Sequence, residues 1–359
     1  MFKQFLINNF RCFATLALNQ LKRVNLIAGK NNTGKTALLE AIHLHNNPAN
    51  WQLPIEINKQ RGIANPSKAM EDVCSWLFHD GHVGGGLALE SRDEATINRT
   101  LTIMILDPAS TRQQFPEMEN ALAASINPTF RHGGLPRLIL KYEQNGEEPK
   151  VSIGVAGTIA GGSGGTWIDA RISWTMPSVY LDSGGAPSAQ DEAFFGKIET
   201  AKRQGEILPA LRIVEPRLQR LALVPIAGES VIHGDIGLSK LVPIPFMGEG
   251  IRRVLSIVLA IANAPGGVVL IDEVENGLHY SVMKDVWKAA ALAARQMNVQ
   301  VFATTHNWEC ILHAHEAFSE DHPYDLGLHR LDRLNGDITM VTYDKEMIET
   351  ALRTRLEIR

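Results

Sequence analysis

The chain has 359 residues, 45% of them hydrophobic and 21% charged, which is enough for a large core and two subdomains. A net charge of −4 excludes a global electrostatic attraction to nucleic acid or an anionic membrane, while leaving room for a local basic groove.

Taken in chain order, residues 1–46 read as strand, turn, strand, glycine-bearing loop and helix. "KQFLINNF" and "RVNLIAG" are the strands and "GKTALLEAIHLHN" is the helix. From Asn47 to about residue 240 the pattern changes, with breaks at "NPAN", "NPSK", "HVGGG", "HGGLP", "AGGSGG" and "DSGGAP". Between them lie strand-like pieces ("RTLTIMIL", "RLILKYEQ", "VSIGVAG", "WIDARISWT") and one helical stretch, residues 189–223. Residues 47–240 therefore read as an inserted, mainly β subdomain with some helix, and "GTIAGGSGGT" as a flexible loop. Regular alternation returns near Pro243. A helix over about 249–263 is followed by the strand "GGVVLIDE", the helix "YSVMKDVWKAAALAARQM", the strand "VQVFATT" and a helix from Trp308. A hairpin over 324–344, turning at "LNGD", precedes a last helix. Strands alternating with helices predict an α/β fold with a mixed or parallel sheet, its core split between 1–46 and 241–359.

Cys12, Cys74 and Cys310 form no C-x-x-C pair, so they predict reduced thiols and a cytoplasmic protein. The N-terminus shows no secretory h-region, and the apolar runs are too short to span a bilayer.

"GKNNTGKT" (Gly29 to Thr36) fits G-x-x-x-x-G-K-[ST] between an apolar strand and a helix, the context this motif requires. Backbone amides from Gly29, Asn31, Asn32, Thr33 and Gly34 would curl around phosphate oxygens, helped by the helix dipole. Lys35 would reach the β- and γ-phosphates of ATP, and Thr36 would ligate Mg²⁺. In "GGVVLIDEVENGLHY" an apolar strand ends in Asp272-Glu273. Asp272 is expected in the Mg²⁺ shell, and Glu273 as general base towards water. His306, directly after "VQVFATT", is placed to bond the γ-phosphate.

The order of these motifs resembles the ABC-type ATPases, including the SMC and RecF-like branches. "LINNFRCF" is similar to the start of that branch, and "MGEGIRR", "IDEVENGLH", "ATTHNWE" and the closing "LEIR" are similar to OLD-like AAA ATPases of bacterial and phage-defence loci. The resemblance covers 1–46 and about 240–359. It implies a P-loop NTPase core in which Gly248, Glu249 and Gly250 form a signature that contacts the γ-phosphate held by a second protomer. Two chains, or a higher homo-oligomer, would then sandwich ATP. Asn276 and Gly277 would form the D-loop, and Arg11 would lie near the nucleotide. Met247 replaces the usual signature serine. No Q-loop glutamine is assigned among Gln190, Gln204 and Gln219.

His43 and His45, and His313 and His315, are spaced two apart and face different sides of a helix, which disfavours shared metal ligation. Arg252-Arg253, with Arg212, Arg217 and Arg220, read as solvated helix faces more than as a nucleic-acid groove. Trp76, Trp167, Phe194 and Phe195 read as packing residues. The resemblance implies an ATPase that switches or restrains a separately encoded effector, such as a nuclease or other toxin, without a membrane. The alternatives are an OLD-like DNA-processing or nuclease component, or a RecF-like DNA-binding ATPase. Only about fifty residues follow His306, too few for a Toprim-like nuclease domain. A transporter's nucleotide-binding subunit is disfavoured by the insert and the altered signature.

Overall fold

The computed structural model describes residues 1–62, 74–116, 136–147, 150–159, 162–168, 175–184, 188–226, 228–320, 323–334, 336–354, 356 and 358. The first half runs β1 (Phe2–Phe10), β2 (Phe13–Leu18), β3 (Val24–Gly29), α1 (Lys35–Asn46), α2 (Leu53–Gln60), β4 (Leu87–Asp93), β5 (Asn98–Leu106) and α3 (Pro108–Gln114). It continues with β6 (Arg137–Gln144), β7 (Lys150–Ile159), β8 (Gly162–Ile168), β9 (Ser178–Leu181), α4 (Ser188–Thr200) and α5 (Gln204–Val214). The remainder is β10 (Arg220–Ile226), β11 (Glu229–Asp235), β12 (Val242–Pro243), α6 (Glu249–Ala262), β13 (Val268–Ile271), α7 (Tyr280–Gln296), β14 (Gln300–Thr305), α8 (Trp308–Ser319), β15 (Leu326–Leu334), β16 (Asp337–Tyr343) and α9 (Lys345–Thr354).

Among the described residues three sheets result: a mixed one in the order β16-β15-β3-β14-β13-β9, an antiparallel one in the order β2-β1-β4-β5-β6-β7-β8, and a small β10-β11-β12 sheet. In the mixed sheet only β16 runs against its neighbour. Its central strands are buried on both faces, as parallel strands covered by other layers must be. The two-residue period decides which layer each side chain meets. Leu26, Ala28, Val269, Ile271, Val301 and Ala303 face the helical layer containing α4 to α8. Ile27, Val268, Leu270 and Phe302 face the other way, into a core shared with α1 and with Phe2, Phe5, Ile7, Leu89 and Leu101 of the antiparallel sheet. Helix α1 therefore lies between two sheets, which explains why Leu38, Leu39, Ala41 and Ile42 are all fully buried.

Three readings of the 47–240 region change. Strand β9 is an edge of the mixed sheet, with Val268 to Ile271 opposite Ser178 to Leu181, and Phe195, Ile207 and Leu211 join the helical-layer core. This stretch thus contributes directly to the layer that carries the motifs. The helix expected over 189–223 is two helices and a strand. Lys202 takes a left-handed φ of 58° between the helices, and α5 ends before Pro216, because the residue preceding a proline is pushed out of helical backbone. The glycine run expected to be a flexible loop contributes to the β7–β8 ladder, with Gly157 opposite Gly164, because ladder hydrogen bonds need only backbone groups. The "NPSK" break and residues 169–174 of the "WIDARISWT" strand lie outside the described residues. Among those described, no helix is long and apolar enough to cross a membrane.

Candidate active site

The site lies beyond the carboxyl ends of β3, β13 and β14, where open α/β sheets place their ligands. Gly34, just before α1, has φ +91°, and a Cβ there would lie 2.6 Å from Cys12 Sγ and 2.7 Å from Phe13 Cζ. Only glycine allows the loop to pass this close to the β1–β2 turn. Thr33 is buried and donates its hydroxyl to the Lys30 carbonyl at 2.8 Å. Lys35 Nζ donates to the Gly29 and Lys30 carbonyls at 2.7 and 3.0 Å. Burial pulls this ammonium below its ordinary pKa, opposed by the carboxylates of Asp272, Glu273 and Glu275.

Asp272, one residue past β13, is the hub. Its Oδ2 accepts from Thr36 Oγ1 at 2.9 Å, and its Oδ1 accepts from Thr304 Oγ1 at 2.5 Å. The Thr304 hydroxyl also accepts from the Glu273 backbone N–H at 2.8 Å. Glu273 adopts a left-handed φ of 45°, and its Oε2 accepts from Asn276 Nδ2 at 2.8 Å. His306 Nδ1 lies 3.6 Å from Glu273 Oε1 and 3.4 Å from Glu275 Oε1. Buried Glu275 also accepts from the Thr305 hydroxyl and the His306 backbone N–H, at 2.8 and 3.0 Å.

A cavity of about 660 Å³ gathers most of the expected residues: Asn31, Asn32, Gly34, Lys35, Thr36, Arg11, Asp272 and Glu273. Gly29 and Thr33 shape its loop, and Asn276 and His306 reach it through Glu273. Gly248, Glu249 and Gly250 do not line it. They form the start of α6, where Glu249 pairs with Arg252 at 3.2 Å, and a Cβ on Gly277 would lie 3.7 Å from Glu249 Oε2. The signature and D-loop positions are therefore neighbours outside the cavity. Met247, in the serine position, packs on the helical core. None of Gln190, Gln204 and Gln219 lines the cavity.

Sequence reasoning missed several of the groups that build the site. Buried Arg253, expected to be solvated, donates to the Asp272 and Glu273 carbonyls at 3.4 and 3.2 Å and so braces the turn after β13. Its position is apolar-facing because Val254, Ile257 and Ala260 on either side sink into the core; that placement was the available signal. Glu40 on α1 is also buried, with Arg11 Nε 2.6 Å from Oε2 and Arg61 Nε 2.8 Å from Oε1. Arg61, Cys12, Ala37, Phe78, Trp76 and Asp80 complete the lining. Trp76 is 60% exposed, not packed inside as expected; Phe195 is fully buried and Phe194 partly so. Arg212, Arg217 and Arg220 engage the Leu218 carbonyl, Glu215 and Asp235. Among the described residues no three His, Cys, Asp or Glu side chains cluster as metal ligands, which includes the paired histidines.

Two family profiles match the chain. Residues 1–75 match one described as "AAA ATPase domain", and residues 167–309 match "AAA domain, putative AbiEii toxin, Type IV TA system". The first contains the phosphate loop and the second the Asp272-Glu273 strand end, so the matches fall on the two sequence segments that meet at Thr36 and Asp272. The chain is a P-loop ATPase. This ATPase is 23% identical over 332 residues to a Helicobacter pylori protein named "ATP/GTP phosphatase", covering 85% of each chain. Among solved structures it is similar to an SmcHead bound to the C-winged helix domain of ScpA (TM-score 0.47, 11% identity, 98% of this chain and 99% of that one). It is also similar to the SMC head domain from Thermotoga maritima (TM-score 0.45, 12% identity, 96% and 99%).

Proposed function

We propose that the chain binds Mg²⁺–ATP in the 660 Å³ cavity, and that two copies close around the nucleotide to switch or restrain a separate effector. The observation carrying this reading is the Thr36–Asp272 contact of 2.9 Å, which joins the phosphate loop to the carboxylate at the end of β13. A hydroxyl and a carboxylate are hard oxygen donors, and Mg²⁺ needs only one or two protein oxygens beside phosphates and water. Thr36 and Asp272 would hold that ion, which when bound neutralises developing phosphate charge. Lys35 and the amides from Gly29 to Thr36 would bind the phosphates. Glu273, held by Asn276, would orient and deprotonate water, and His306 would sit on its other side.

Gly248, Glu249 and Gly250 lie outside their own chain's cavity, which supports action on a partner's nucleotide. Phe246, 82% exposed, directly precedes that helix start, and Tyr280, 54% exposed, opens α7, whose Val282 would lie 3.5 Å from a Cβ on Gly250; both offer apolar surface to a second copy. The family description that includes a toxin–antitoxin system supports a defence setting, in which the effector is a separate nuclease or other toxin.

The test is light scattering with Mg²⁺–ATP. Glu273→Gln should retain ATP and shift the protein to a stable dimer, while Lys35→Ala should lose nucleotide binding. An unchanged monomer in Glu273→Gln refutes the sandwich, and unchanged binding in Lys35→Ala refutes the phosphate-loop assignment.

A further inference from the structure

We infer that Trp76 and Asp80 form a base subsite at the mouth of the cavity, with the Trp76 indole stacking on a purine and the Asp80 carboxylate accepting from its exocyclic amino group. This rests on the nucleotide reading above and adds the part of the ligand that the phosphate loop does not touch.

The segment carrying both residues is fastened to the phosphate loop through the β1–β2 turn. The loop meets that turn at Gly34 and Cys12. The preceding residue, Arg11, donates its backbone N–H to the Leu77 carbonyl at 2.8 Å. The Arg11 carbonyl accepts from His79 Nδ1 at 2.9 Å, and Asn9 Oδ1 accepts from the His79 backbone N–H at 3.2 Å. Phe78, 1% exposed, forms a bridge with Phe10 and sinks into the core shared by the two sheets. Residues 77–79, between Trp76 and Asp80, are therefore pinned, while the Trp76 side chain is 60% exposed and the Asp80 side chain, whose Oδ2 lies 3.5 Å from His79 Nε2, is 74% exposed.

A rigid backbone carrying an exposed indole in a cavity wall is a stacking platform. The indole loses little freedom on binding and offers a flat apolar face matched by a fused purine ring system. Neither the phosphate loop nor Asp272 needs an aromatic group, so the phosphate chemistry leaves Trp76 unexplained. Asp80 holds a left-handed φ of 52° next to the anchored His79, and its carboxylate keeps one oxygen near His79 Nε2 at 3.5 Å while remaining mostly exposed. An ionised carboxylate accepts hydrogen bonds and donates none. It therefore favours a base edge bearing an amino group, such as N6 of adenine, over one lacking it. The cavity's size is in the range of sites that enclose a small ligand.

Calorimetric titration of the full chain with ATP, inorganic tripolyphosphate and purine riboside triphosphate, each with Mg²⁺, tests this. Trp76→Ala should weaken ATP by roughly tenfold to a hundredfold, the range of one stacked base, and leave tripolyphosphate unchanged. Trp76→Phe keeps a ring and should restore most of the ATP affinity, whereas Trp76→Leu should not. Asp80→Ala should remove the wild-type preference for ATP over purine riboside triphosphate. Equal losses for ATP and tripolyphosphate in Trp76→Ala, or no loss for ATP, overturn the base subsite. If the wild-type chain binds neither ligand, the nucleotide reading itself falls. If it binds ATP and Trp76→Ala is neutral, only the base subsite falls.

Discussion

Glu275 grips His306 twice: its Oε1 accepts the His306 backbone N–H at 3.0 Å and lies 3.4 Å from Nδ1 of the same residue. The Thr305 hydroxyl donates to this oxygen as well, so three groups on β14 and the turn after it converge on one buried carboxylate. Glu275→Ala leaves buried donors unpaired, at a cost of about 1–3 kcal/mol each. The expected outcome is a lower melting temperature and a kcat reduced about tenfold or more, with little change in KM, because His306 loses its orientation and not its ring. Glu275→Gln keeps an acceptor oxygen and should fall between the two. Steady-state ATPase assays and thermal melts read both effects, and an unchanged kcat in Glu275→Ala would remove His306 from the chemistry.

The join between β9 and β13 depends on Gly267. A Cβ there would lie 1.9 Å from the Pro177 carbonyl oxygen, the same oxygen that accepts from the Val268 backbone N–H at 2.8 Å. Since both atoms belong to backbone, neither can yield without breaking the strand pairing. Gly267→Ala should cost about 3 kcal/mol or more. Its neighbour Gly266 has φ +70° and open space around it, so Gly266→Ala should cost only about 1 kcal/mol of backbone strain. Chemical denaturation of the two variants separates a steric clash from a conformational preference, and equal costs would refute the close approach.

Acid should unfold the protein through its histidines. Burial holds His43, His45 and His329 at a pKa of about 4. In the unfolded chain each returns to about 6.5, so the unfolded state binds more protons between these values. The stability they contribute is therefore complete above pH ~6.5 and is lost as pH falls towards 4, by roughly 3 kcal/mol for each histidine at the end of that range. Asp191 has the opposite sign. Burial raises it to about 6, opposed by its bond to Ser256 and by Arg252 and Arg253, so it adds stability as pH falls from about 6 to below 4. Three histidines outweigh one carboxylate. Urea midpoints from pH 8 to pH 4 should drop progressively below pH ~6.5, and a flat profile to pH 5 would contradict the buried neutral histidines.

Much of this site is legible in the sequence because its parts are local. Gly29 to Thr36 and Asp272-Glu273 are short runs whose chemistry is fixed by their order along the chain, and the flanking strands are strongly apolar. What escapes is long-range. Ser178 to Leu181 is only four residues long and sits among glycine-rich breaks, and its partner Val268 to Ile271 lies far along the chain, so local periodicity could not show that it belongs to the mixed sheet. Arg253 has the character of a surface residue, and only its contact with the carbonyls after β13 explains its burial. Glu40 looks like an ordinary helix acid until Arg11 and Arg61, from two other elements, meet it. Trp76 misleads in the other direction: aromatic residues usually pack inside, and this one faces the cavity.

Helix α1 begins at Lys35 and Thr36 and is enclosed by both large sheets for most of its length. Close-packed interiors transmit displacement instead of absorbing it. A small tilt of this helix at its phosphate end must therefore be answered by the seven-stranded sheet on one flank and the six-stranded sheet on the other. Mechanically the phosphate loop is the short arm of a lever, and strands β4 to β8, remote from the chemistry, are its long arm.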